Sequence, residues 1–135
     1  MQRALLDTDT LSNIMRQQPS ALAHANAYLS IHSCFTISLI TRYEILRGLN
    51  AKQALKQLEA FERFCAFNEI LPITENIVLR AATIYGELHR QGTLIGDADI
   101  LIAATAVEYG LTLVTNNTNH FQRIKGLSLQ NWLTS

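Results

Sequence analysis

Apolar positions along this chain follow two rhythms. Short continuous runs stand at 3–7 (RALLD), 33–40 (SCFTISLI), 69–74 (EILPIT) and 111–115 (LTLVT), with a last one in LSLQNW. Longer stretches between them repeat apolar residues every three or four positions. The first rhythm predicts strands buried on both faces and the second predicts amphipathic helices. Helices are expected over 8–18, over 21–30 after a turn at Pro19 and Ser20, from Thr41 to near Gly48, and over 51–66. A longer one is expected over 75–91, capped by Thr74, with an apolar face of Val78, Ala81, Ala82, Tyr85 and Leu88. The last should start at Gly96–Asp97 and stop at Gly110, a residue suited to the left-handed turn that ends helices. Pro72 suits a strand edge or end. Strand and helix alternate, so the expected fold is α/β, a central parallel sheet with helices on both faces. The 135 residues suit a single domain, 1–135, without repeat or linker.

Composition narrows the classes. Eleven basic and eleven acidic side chains balance, which argues against a module that coats nucleic acid by charge alone, though not against a local basic patch. Cys34 and Cys65 are too few and too far apart for a disulfide framework or a zinc knuckle, and are expected to be buried free thiols. The opening MQRALLDTDT is too short in its apolar run, and too acidic, for a secretory leader, and no stretch reaches the ~20 apolar residues of a membrane span. A cytoplasmic, reducing location is the expectation.

The acids carry the candidate chemistry. In an open α/β sheet the ligand crevice lies beyond the carboxyl ends of the strands. Asp7 ends the first strand, Glu44 follows the second by one to two helical turns, and Thr115, Asn116 and Asn117 close the fourth. Asp97 and Asp99 stand at the front of the helix leading into that fourth strand. Each has a plainer explanation. Asp9 is placed to cap the first helix, Thr41 and Glu44 fit a T-x-x-E capping box, Asp97 suits an N-cap, and Asp99 a favourable first-turn charge. Asp7 has no such explanation. Two carboxylates ~4 Å apart repel by about 4 kcal/mol at an effective dielectric of roughly 20, so converging acids call for a proton or a cation. Without metal, at least one of them should have a raised pKa from its like-charged neighbours. Oxygen donors without His or Cys suit Mg²⁺ or Mn²⁺. His24, His32, His89 and His120 show no paired spacing, and only His120 falls near the rim.

With these residues in view, the chain resembles the PIN-domain ribonucleases, and among them the VapC-type toxins of bacterial toxin–antitoxin pairs. LLDTDTLS is similar to the family's opening strand-end motif, ISLITRYEILRG to its second motif, GDADILIAATAVEYGLTLVTNNTNHFQRI to its third and fourth, and GLSLQNW to its usual ending. The resemblance implies a three-layer α/β/α PIN-like fold. By position it makes Asp7, Glu44 and Asp99 the catalytic and metal-holding acids, with Thr8 and Asp9 following the first of them. Asp97 has no fixed counterpart and stays a helix cap that adds negative field; Thr115, Asn116 and Asn117 match the fourth motif, where some relatives carry an aspartate. It further implies endonucleolytic cleavage of RNA with Mg²⁺ or Mn²⁺, leaving a 5′-phosphate and a 3′-hydroxyl. Relatives of this type often cut tRNA, and the bases of an anticodon loop are open to direct reading. Arg42 and Arg47, with Lys52 and Lys56 beyond them, are candidates for holding phosphates or, equally, a solvated helix face. A homodimer and a cognate VapB-type antitoxin, threading a C-terminal segment over the groove, are the implied partners.

Two neighbouring functions share most of these features: a PIN nuclease of RNA maturation, and a PIN module that binds RNA or protein without cutting. A receiver-like phosphorylation domain does not, because EILPIT is followed by no acceptor aspartate and LTLVT by no lysine.

Overall fold

The computed structural model describes residues 1–134. Five strands form one parallel sheet in the order β3-β2-β1-β4-β5: β1 Ala4–Leu6, β2 Thr36–Ser38, β3 Glu69–Leu71, β4 Thr112–Val114 and β5 Leu129–Gln130. Seven helices alternate with them: α1 Thr8–Met15, α2 Pro19–Leu29, α3 Leu39–Ala51, α4 Leu55–Phe67, α5 Glu75–Gln91, α6 Asp97–Tyr109 and α7 Thr118–Phe121. The expected α/β/α architecture is therefore present. The pleat divides the core in two. Ala4 and Leu6 of β1 face a cluster of Leu11, Tyr28, Ile45, Phe61 and Trp132 from the α1–α4 side. Leu5 faces Ile77, Leu88, Ile102 and Phe121 from the α5–α7 side. Alternation along β1 thus feeds two apolar cores, which is why its sequence reads as continuous.

Most elements fall where the hydrophobic rhythm puts them, with informative shifts. Strands are shorter than expected: SCFTISLI supplies only Thr36–Ser38, and EILPIT only Glu69–Leu71. α3 consequently starts early. Ser38, not Thr41, is its cap, its hydroxyl accepting from the Ile40 N–H at 3.1 Å, so the Thr41–Glu44 capping box does not form. α2 starts at Pro19 itself, whose missing N–H costs nothing in a first turn; the Gln18 side chain accepts from the Ala21 N–H at 2.6 Å. α3 runs past Gly48 to Ala51, and the chain reverses at Gln53 in the left-handed region (φ 53°) before α4. α5 has the expected limits, with Thr74 accepting from Ile77 N–H at 3.2 Å and Gly92 closing it at φ 70°. Its buried face is Ile77, Ala81, Ile84 and Leu88, whereas Val78 and Tyr85 are exposed. α7 was not anticipated. The free thiols Cys34 and Cys65 are half-buried rather than buried, Cys34 just ahead of β2. Among the described residues no helix is long and apolar enough to cross a membrane.

Candidate metal centre

The sheet order fixes where a site can lie. From β1 the chain moves outward through β2 to β3, then returns to place β4 on the other side of β1. The order reverses between β1 and β4, and the crevice beyond their carboxyl ends is the expected ligand position. Asp7 leaves β1 there, its N–H bonded to the Val114 carbonyl at 3.0 Å, and Thr115 follows β4.

Asp7 is 4 % exposed. It is the N-cap of α1, its Oδ1 accepting from the Thr10 N–H at 2.8 Å. Sequence reasoning gave that duty to Asp9 and saw no cap for Asp7; the reverse holds, because β1 ends at Leu6 and the helix begins at Thr8. Asp9 is exposed in the first turn and receives the Asn13 amide. Burial pushes the Asp7 carboxyl above its ordinary range; hydrogen bonds from Thr115 and Thr10 oppose that, and the charge of Asp9 adds to it.

Asp99 stands half-buried in the first turn of α6. Burial raises its pKa too, followed by the charges of Asp7 and Glu44, while His120 on α7 pulls it down. Raised carboxyls were expected from like charge. They are found, but removal from water is the larger cause in both; repulsion comes second for Asp99 and is the smallest influence on Asp7. Glu44 reaches across from α3: the Thr8 hydroxyl donates to its Oε1 at 2.6 Å, and Arg47 Nη2 stands 3.7 Å from its Oε2.

These carboxylates sense one another without forming a cage. Among the described residues no three His, Cys, Asp or Glu side chains are grouped closely enough to grip an ion as they stand. The donor set nevertheless fits a hard divalent cation: all oxygen, two of its carboxyls burdened by burial and one of these, Asp99, also by the charges of the other two, and relieved by any added positive charge. Asp7, Asp99 and Glu44 are the residues that could hold it.

The remaining candidates separate clearly. Asp97 is exposed and is the first helical residue of α6; Gly96 is the cap and no side chain bonds there, so Asp97 is not the N-cap. Thr115 is buried, accepting the Asn117 N–H at 3.0 Å. Asn116 and Asn117 are exposed, and Asn116 Oδ1 accepts from Asn131 at 3.3 Å. Arg42 is engaged by Glu62, which holds the guanidinium firmly protonated, and lies over Phe61. Arg47 is largely exposed and stacks over Tyr43 at 5.3 Å. Sequence reasoning missed Thr41, which is fully buried with its hydroxyl 3.0 Å from that of Thr8. Beside the site runs an apolar groove of about 590 Å³ between α1 and the α3–α4 pair, with Leu11, Met15, Leu49, Phe61 and Phe64 along it and Thr8 and Glu44 in its lining.

The chain is similar in sequence and fold to known proteins. The PIN domain family model matches residues 4–127. Ribonuclease VapC1 of Methanocaldococcus jannaschii is 38% identical over 94 residues, covering 70% of this chain and 67% of that protein. The tRNA(fMet)-specific endonuclease VapC of Salmonella typhimurium is 31% identical over 133 residues, covering 98% of this chain and 99% of its own. Among solved structures, DNA-bound VapBC from Salmonella typhimurium superposes with a TM-score of 0.86 at 31% identity, over 98% of this chain and 99% of that one. VapBC2 from Rickettsia felis bound to a promoter DNA fragment gives 0.85 at 28% identity, over 96% and 98%.

Proposed function

This chain is a PIN-domain protein of the VapC ribonuclease family, and we propose that it is the toxin endoribonuclease of a toxin–antitoxin pair, hydrolysing RNA phosphodiester bonds with Mg²⁺ or Mn²⁺ held by Asp7, Asp99 and Glu44. The observation that carries the reading is the half-buried Asp99, which has Asp7 and Glu44 as like-charged neighbours at the switch point of the sheet. A divalent ion bound there lowers the pKa of water and offsets charge on the phosphodiester. The chain's own residues prepare the place. The Thr10 N–H and the Thr115 hydroxyl keep Asp7 turned inward, the Thr8 hydroxyl keeps Glu44 turned towards α1, and burial limits competing water. Arg47, largely exposed and paired with Glu44 only at 3.7 Å, is the readier of the two to meet a backbone phosphate, whereas Arg42 must first leave Glu62.

The substrate we favour is tRNA, since the full-length Salmonella typhimurium relative is named for that activity; within tRNA, the anticodon loop offers unstacked bases. The partner is a VapB-type antitoxin, as in the VapBC structures. The groove beside Glu44 suits an apolar helix face from its C-terminal segment, and an Arg at the end of that segment would bring positive charge to the acids in place of a cation. Exposed Val78, Leu79 and Tyr85 on α5 suit a homodimer. Purified protein is incubated with a tRNA pool and Mg²⁺, beside Asp7→Asn. Discrete fragments from the native protein alone are expected; equal cleavage by both removes the assignment. Growth arrest on expression, relieved by the adjacent reading frame, tests the toxin role.

A further inference from the structure

Thr8 is the first residue of α1, immediately after the Asp7 cap, so the turn that fixes Asp7 also fixes the direction of the Thr8 side chain. That side chain crosses to α3. Its hydroxyl oxygen is 2.6 Å from Glu44 Oε1 and 3.0 Å from the Thr41 hydroxyl. A hydroxyl has one proton to give and two lone pairs to accept with. If the Thr8 proton goes to the carboxylate, the stronger acceptor, Thr41 is the donor in the second contact. The order is then Thr41 to Thr8 to Glu44. Thr41 is fully buried and Glu44 is half-buried, so the chain runs from the core outward to the acid. Neither threonine serves as a helix cap, since Asp7 and Ser38 have those places. Without Thr8, Oε1 of Glu44 loses its hydrogen-bond donor, and Arg47, 3.7 Å from Oε2, would draw the carboxylate along α3 and away from α1.

We propose that Thr8 is a positioning residue: its hydroxyl, itself fixed by Thr41, holds the Glu44 carboxylate turned towards α1 and the cleft beside Asp99, and so sets the spacing of the acids that take the divalent ion. This rests on the functional reading above and adds to it a second pair of residues. Thr8 touches neither substrate nor ion; it acts through Glu44.

The test uses the full chain and two readouts: Mn²⁺ binding followed by electron paramagnetic resonance, and RNA cleavage resolved into kcat and KM. Thr8→Val keeps the shape and removes the hydroxyl. It is expected to weaken Mn²⁺ binding about tenfold, the scale of one lost hydrogen bond to a charged group, and to lower kcat with little change in KM. Thr8→Ser, which returns the hydroxyl, recovers most of both. In an Glu44→Gln background, Thr8→Val adds much less than it does alone. Thermal melts accompany each variant; if Thr8→Val proves poorly folded, Thr41→Val is measured instead and should show the same losses in smaller degree. Native-like Mn²⁺ binding and kcat in Thr8→Val overturn the proposal. So does an equal loss in Thr8→Ser, or full additivity with Glu44→Gln. A native protein that binds Mn²⁺ but cuts no RNA overturns the functional reading instead, and the Mn²⁺ measurements still decide Thr8.

Discussion

The two helices that bring aspartates to the cleft begin in opposite ways. α1 is capped by a candidate ligand: Asp7 closes the helix through the Thr10 N–H and is almost wholly buried. α6 is capped by Gly96 with no side-chain cap bond, and its candidate ligand, Asp99, stands two residues inside, half-buried in the first turn. One acid caps its helix through a hydrogen bond and the other meets its helix only through the charge of a first turn. The difference teaches that acids converging on one cleft need not be bound to the fold in the same way. Asp7 offsets its burial with a helix cap, whereas Asp99 is half-buried without one.

The largest effects should separate Asp99 from its neighbour. Loss even of a group that merely supports a metal ligand typically costs ten- to a hundredfold. Asp99→Asn is expected to lower RNA cleavage by at least about a hundredfold, while Asp97→Asn leaves it near native, as befits an exposed first-turn charge. Comparable losses in both would mean that the whole front of α6, not one carboxylate, makes the site. Metal should reveal the same contrast in stability. Mg²⁺ at a hundred times its dissociation constant stabilises by about 2.7 kcal/mol, so the melting temperature of the native protein should rise with Mg²⁺ and that of Asp99→Asn should stay nearly flat. A native melting curve indifferent to Mg²⁺ and Mn²⁺ would count against the centre.

The metal-free protein gives a medium-sized effect with opposite signs for cap and charge. Both carboxyls have folded pKa values above the ordinary 3.8. Between 3.8 and those raised values the native state binds more protons than the unfolded chain. Their contribution to stability is therefore complete below 3.8, falls as pH rises through the window, and stays at its lower level above it. At neutral pH in chelator, Asp99→Asn and Asp7→Asn should both melt above the native protein and flatten that acid-side slope. Asp7→Ala should fall below Asp7→Asn by about 1 kcal/mol, because Asn caps as well as Asp and Ala does not cap. Melts from pH 3 to 8 check this, and equal stability of the Ala and Asn variants would deny Asp7 its structural half.

How much of this was legible in the sequence follows from the same physics. The fold was, because continuous apolar runs and helical repeats are set by burial, and so was the convergence of Asp7, Glu44 and Asp99 on one rim, through motif and place along the strands. The caps were not. Several hydroxyls and carboxylates near each helix start can all accept an N–H, and the choice falls to where the strand stops. β2 ends at Ser38 through its pairing with β1 and β3, which hands the cap to Ser38 and leaves Thr41 and Glu44 free to face α1. In the same way β1 ends at Leu6 and gives Asp7 the role that spacing alone assigned to Asp9. The face of α5 was misplaced for another reason. Ala81 and Leu88 are buried as expected, but Val78, Ala82 and Tyr85 are not; Val78 and Leu79 are nearly as apolar as Ile77 and Ile84, so the repeat fixes a helix but not the full stripe that packs on the core.

The smallest prediction returns to the cap that α6 lacks. Gly96 has φ −64° and ψ 154°, backbone that any residue adopts, and a Cβ added there meets nothing within 4 Å. Gly96→Ser can therefore place a hydroxyl over the exposed first-turn N–H groups without strain. Gly is already a tolerable N-cap, so the gain is only a few tenths of a kcal/mol, seen as about a one-degree rise in melting temperature for a chain of this size. Its value lies in what else it moves. If α6 is left uncapped only because nothing demands a cap, the serine variant gains stability and keeps its Mg²⁺ response. A stability gain that comes with a weaker Mg²⁺ response would mean that a loosely held first turn is part of how Asp99 reaches its ion, and that the contrast between the two helix starts is itself functional.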